Sequence, residues 1–129
     1  MKLLKTLLIA TLPFGFAGAA MADEITVEEQ PSGDTLAVDS VTIAEDGWLV
    51  VHAMKDGKPV VPASLGHIAV KAGTTTDIVV PLTTPTQSGD QIMLMLHVDQ
   101  GTKGTYEFPG ADAPVMQDGQ PVVTTIEID

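Results

Sequence analysis

The chain has 129 residues, with 17 acids against 6 cations for a formal net charge of −11, and it contains neither arginine nor cysteine. That balance argues against nucleic acid as a partner, since a phosphate backbone is held by clustered cations. The absence of cysteine excludes disulfide, thiol-redox and thiolate-metal chemistry and leaves N, O and thioether donors for any metal.

Lys2 and Lys5 precede an almost wholly apolar run from Leu7 to Ala20, and Ala20-Met21-Ala22 places small residues where a signal peptidase reads. Residues 1–22 are therefore expected to be a signal peptide and 23–129 a single domain, exported to the periplasm or the extracellular space. No cysteine follows the apolar run, which excludes a lipid anchor at the leader. Without Lys2 and Lys5, four lysines face 17 acids, a net −13. No later apolar run approaches the roughly 18 residues of a membrane span, so no membrane insertion of the mature chain is expected. About 107 residues suffice for one core without crosslinks.

From Asp23 onward, short alternating segments are separated by Gly, Pro, Asp and Ser, and no window carries a helical period. Ile25 and Val27 mark a first strand that ends at the turn formers Gln30 to Asp34. In the second strand Leu36 and Val38 are in one phase and Val41 and Ile43 in the other, which predicts a bulge near Asp39-Ser40. Trp48 to Met54 reads as a strand with two apolar faces, followed by the hairpin signal Lys55-Asp56-Gly57-Lys58. Further strands are expected around Leu65 to Val70, Ile78 to Leu82, Ile92 to Val98 and Val122 to Ile128, with a long loop from Pro109 to Gly119. Seven to eight short strands at this spacing predict an all-β immunoglobulin-like or cupredoxin-like Greek-key sandwich. Met54 to Val61 is echoed by Met116 to Val123, matching at six of eight positions, while the flanks differ. That pattern suggests reuse of one turn solution, not duplication of a domain.

The stretch Asp90 to Asp99 is the centre of the reading. Extended, it presents Ile92, Leu94, Leu96 and Val98 on one face and Met93, Met95 and His97 on the other. The Trp48 strand has the same character, with Leu49, Val51 and Ala53 opposed to Trp48, Val50, His52 and Met54. If the two strands pair with their aliphatic faces on the core, His52, Met54, Met93, Met95 and His97 converge on the opposite surface. Thioethers beside imidazoles suit Cu(I). Blue-copper electron transfer is excluded with its missing thiolate. Plain packing is the competing reading: methionine fills gaps in a strand buried on both sides, Trp48 anchors a core, and His97 near Asp99 bonds a carboxylate or a backbone group. His67 is expected to face solvent. Pro62-Ala63-Ser64-Leu65-Gly66 lacks the first glycine of a nucleophile elbow, Asp112 to Asp118 lacks the ligand spacing of a helix-flanked calcium loop, and three mature aromatic residues offer little to a carbohydrate.

Asp46-Gly47-Trp48-Leu49-Val50-Val51-His52, the Gly66 to Leu82 segment with Lys71-Ala72-Gly73-Thr74, and Met95-Leu96-His97-Val98-Asp99 with Tyr106 and Asp112-Ala113-Pro114 resemble a domain of unknown function found on secreted proteins of haloarchaea and some bacteria. The resemblance covers most of the mature chain. It implies a β-sandwich in an extracytoplasmic setting and brings no activity with it. The function expected is an exported, non-enzymatic binding module that meets a protein partner, another copy or a larger surface assembly, through the face of Trp48, Met93 and Met95. The alternative is a periplasmic Cu(I)-binding protein using the Met/His strand face.

Overall fold

A computed structural model describes residues 22–129, so the expected leader lies outside the described residues except for Ala22. One sheet contains β1 (Glu24–Thr26), β2 (Thr35–Ile43) and β6 (Gly73–Pro81), in the order β1-β2-β6. The other contains β3 (Gly47–Lys55), β4 (Lys58–Pro59), β5 (Gly66–Val70), β7 (Gln91–Val98) and β10 (Val123–Glu127), while β8 (Met116–Gln117) and β9 (Gln120–Pro121) form a small hairpin. Every named strand pair is antiparallel. Setting aside the two-residue strands, 1-2-6 and 10-7-3-5 are the orders of an immunoglobulin-like Greek key, with strands A, B and E in one sheet and G, F, C and C′ in the other. No helix among the described residues is long and apolar enough to cross a membrane.

The alternation read from the sequence decides what lies between the sheets. Leu36, Val38, Val41 and Ile43 from one sheet and Leu49, Val51, Ile92, Leu94 and Leu96 from the other join a single buried cluster. Each fully buried leucine among them contributes about 1.5–3 kcal/mol relative to exposure. The phase switch in β2 arises differently from the expected bulge. Partners run without a slip from Val38 opposite Ile78 to Ser40 opposite Thr76, so no extra residue is inserted. The pairing is instead interrupted at Asp39 and Asp77, and Asp77 adopts a positive φ of 54°. The two strands change phase together at this point, with an aspartate tolerating the left-handed conformation.

The internal echo is a reused turn. Met54 pairs with Pro59 and Lys55 with Lys58, as Met116 pairs with Pro121 and Gln117 with Gln120. Asp56 and Gly57 have φ of 54° and 78°, and Asp118 and Gly119 have 54° and 79°, the paired positive values of a primed hairpin turn. The β8–β9 hairpin is an excursion from the last strand. Before it, Val115 N–H bonds the Leu96 carbonyl at 2.8 Å, and after it Leu96 N–H bonds the Val122 carbonyl at 3.1 Å.

Candidate functional site

The β3–β7 register places the second faces of both strands together. Trp48 lies opposite His97, Val50 opposite Met95 and His52 opposite Met93. This is the convergence expected from the alternation, but the face is not open. Trp48 and Met95 are buried, and His52 and His97 are fully buried. Two connections close over the sheet from opposite ends. The segment from Asp99 to Asp112 leaves the end of β7 and carries Tyr106 and Phe108 across the aromatic cluster. Phe108 meets the His97 ring edge to face at 4.7 Å, and Tyr106 lies 5.6 Å from Trp48 and 4.5 Å from His67. The link from β4 to β5 covers His52. Trp48, Met93 and Met95 therefore cannot form the docking face expected from the sequence, because the chain's own loop occupies that surface and only Met93 remains half-buried.

Asp112 fastens the longer covering segment. Its Oδ1 accepts from the backbone N–H of Gln100 at 2.9 Å and of Gly101 at 3.3 Å, and its Oδ2 accepts from Glu107 N–H at 2.9 Å. Burial opposes ionisation of this carboxyl, but the N–H groups of Glu107, Gly101 and Gln100, together with the Trp48 side chain, outweigh it and hold the group below its usual range. With both oxygens committed to backbone donors, Asp112 is no calcium ligand, and among the described residues no group of three or more His, Cys, Asp or Glu stands ready to hold a metal. Asp99 holds the start of the segment by accepting Gly104 N–H at 3.0 Å, while Lys103 Nζ donates to its carbonyl at 2.5 Å.

The two buried imidazoles are held alike. His97 Nδ1 lies 2.8 Å from the Asp112 carbonyl oxygen, and His52 Nδ1 lies 2.9 Å from that of Ala63 and 3.1 Å from that of Val60. A carbonyl only accepts, so each Nδ1 carries the proton. Nε2 of both rings is buried and has no hydrogen-bond partner. The ring centroids are 6.2 Å apart. The pairing of His97 with the Asp99 carboxylate, one of the options open from sequence, is replaced by the Asp112 backbone. Burial lowers the His97 pKa, reinforced by the neighbouring His52, against the opposing pull of the Asp112 carbonyl and carboxylate. Burial also raises the Tyr106 phenol to about 12, with the Asp112 charge adding to it.

Of the five candidate metal residues, His52, His97 and Met95 occupy the centre. Met95 stands at the register step between the two histidines. Met93 is opposite His52 and half-buried, and Met54 lies one step further from His97, paired with Pro59 in the hairpin. The sequence reading missed Tyr106, Phe108 and Asp112 as parts of this layer. The available signal was Asp112-Ala113 set between the Tyr106-Glu107-Phe108 run and the last strand, a buried-carboxylate loop closure that alternation cannot reveal. His67 is exposed, as expected, although its ring leans on Trp48 and Tyr106.

The fold and its sealed second layer define an immunoglobulin-like β-sandwich domain whose histidine- and methionine-bearing strand face lies beneath the chain's own covering segments. The chain belongs to the family DUF7282, a domain of unknown function, whose family model matches residues 23–129. It is similar to cell surface glycoprotein 1 of Haloarcula hispanica, at 33% identity over 112 residues, and to cell surface glycoprotein 2 of the same organism, at 29% over 110 residues. Each match covers 83% of this chain but 12% of the relative, so the chain spans about an eighth of the length of these proteins. No solved structure matches the chain at a significant level.

Proposed function

We propose that this chain is an exported, non-enzymatic β-sandwich module that works at the cell surface by contact with neighbouring proteins. The observation that carries the reading is the match of the whole domain to a small part of two much larger cell surface glycoproteins, the pattern of a module used within surface assemblies. Three features of this chain support it. The leader-like start fits export. The chemically versatile side chains are sealed beneath the chain's own loop, with both histidine Nδ1 atoms committed to backbone carbonyls. The surface is strongly acidic, and among the described residues a single ion pair, Lys71 to Asp46 at 3.7 Å, neutralises any of it, so its net charge keeps the module hydrated and disperse. The chain contains no asparagine, so N-linked sugar is excluded as its means of surface attachment.

Contact would fall on the exposed apolar residues outside the sealed face, Val60 and Val61 on one connection, Val79 on β6, and Met116 and Val123 at and beside the β8–β9 hairpin. The test is expression of the full chain in an exporting host, followed by fractionation, intact mass and crosslinking on whole cells. The expected result is a product beginning at Asp23, outside the cytoplasm, and crosslinked to envelope proteins. A full-length product retained in the cytoplasm, or an exported one that crosslinks to nothing and leaves with the medium, would overturn the proposal.

A further inference from the structure

We infer that His52, His97 and Met95 form a buried site for a soft monovalent cation, Cu(I) or its redox-inert counterpart Ag(I), with the two Nε2 atoms as opposed ligands and the Met95 thioether as a third. It rests on buried side chains and meets the surface reading above at one point only, the Val60 carbonyl, which accepts from His52.

Two of the five buried polar side-chain atoms without a partner among the described residues are the imidazole acceptors of His52 and His97. A buried polar atom without a partner costs about 1–3 kcal/mol and calls for an explanation; here two such atoms belong to rings held in the same tautomer. Ligating histidines characteristically donate the other ring N–H to a backbone carbonyl or carboxylate, which fixes the tautomer and aims the lone pair. Both histidines already have that support, His97 from the Asp112 carbonyl and His52 from those of Ala63 and Val60.

The ring separation allows a shared ion. A metal–nitrogen bond of about 2 Å and a ring radius of about 1.1 Å place the centroids of two imidazoles on one ion roughly 6.2 Å apart when the nitrogens oppose each other, and roughly 5 Å apart at a tetrahedral angle. The observed separation is 6.2 Å. It matches two near-opposed nitrogens with the thioether as a weaker donor at their side, an arrangement open to d10 Cu(I) and Ag(I). The third donor agrees in softness: Met95 occupies the register step between the histidines and is buried, and a thioether selects Cu(I) over harder cations. Phe108 packs on His97 and excludes water from that side. Met54 and Met93 fall outside the set, since neither stands between the two rings.

The experiment titrates the purified, folded chain anaerobically with Ag(I) and, in parallel, with Cu(I) against a chromophoric chelator, following histidine ring nitrogens by long-range proton–nitrogen NMR. One equivalent should move the Nε2 resonances of His52 and His97 and the Met95 methyl, and leave exposed His67 unmoved. Met95→Leu is close to isosteric and preserves the fold; it should weaken Cu(I) by at least about 10-fold, the lower end of what even an outer-shell partner is worth. Met116→Leu, at an exposed methionine, should change nothing. His97→Gln, checked for folding by circular dichroism, should abolish the one-to-one binding. Nε2 resonances that respond to neither ion, a dominant shift at His67, or Cu(I) affinity unchanged in Met95→Leu would each overturn the assignment.

Discussion

Replacing Asp112 by alanine should unfasten the outer layer of the sandwich while leaving the inter-sheet core in place. The carboxylate accepts three backbone N–H bonds, at 2.9, 3.3 and 2.9 Å, and a hydrogen bond to a charged group is worth about 1.5–3 kcal/mol. The losses do not add, because Gln100, Gly101 and Glu107 are at least partly exposed and regain water, and because the variant no longer has to desolvate a charge. A net cost of about 3 kcal/mol follows, a large share of the roughly 5–15 kcal/mol typical of a domain. With a urea m-value of about 1–2 kcal/mol/M, the midpoint should fall by about 1.5–3 M. Trp48, the single tryptophan, lies in the outer layer and outside the main core cluster. Its emission should shift to the red at lower urea than the loss of far-UV circular dichroism. The pH dependence gives an independent arm. Because the Asp112 pKa is lowered from 3.8, its contribution is complete above 3.8 and is lost as pH falls through the folded value. The gap between wild type and Asp112→Ala should close in that acid range. A cost under about 0.5 kcal/mol, the range of featureless surface positions, or a gap that persists unchanged to pH 2, would refute the fastening role.

His97 has the same sign for a different reason: its folded pKa lies below 6.5, so the unfolded chain takes the proton first and stability falls as pH drops below 6.5 toward the folded value; an NMR titration midpoint above 6.5 would contradict this. Gly57→Ala and Gly119→Ala should cost alike, about 1–2 kcal/mol each by thermal or urea unfolding, since both glycines have positive φ and open space where a Cβ would stand. Gly47→Ala should cost more than either, because its Cβ would meet the His97 carbonyl oxygen and the Ile43 side chain, and it should disturb His97 ring resonances as well as stability. Leu94→Ala, at a fully buried core position, should cost about 2–5 kcal/mol with an unchanged m-value.

Much of this molecule is determined by alternation along the chain. Ile92, Leu94 and Leu96 against Met93, Met95 and His97 is a pattern with a period of two, and a strand has no other way to satisfy it, so the two faces of each strand were legible from residues alone, while the pairing of the two histidine-bearing strands was only a condition of that reading until the register supplied it. The Asp-Gly pairs at 56–57 and 118–119 likewise specify their turns locally, through the positive φ that those residues tolerate. What the sequence could not determine was which surface stays wet. Trp48, Met93 and Met95 read as an exposed docking face because nothing in their own strands says that residues 99–112 will fold across them. That closure rests on contacts between distant positions, Asp112 with Gln100 and Gly101 and Phe108 with His97, and a buried carboxylate accepting backbone N–H bonds looks in sequence like any solvated aspartate. Met54 and Met95 are equally plausible thioether donors in the linear pattern. Only the tertiary structure sets Met95 at the register step between the two histidines and Met54 in a hairpin, because register decides which side chains on paired strands are neighbours.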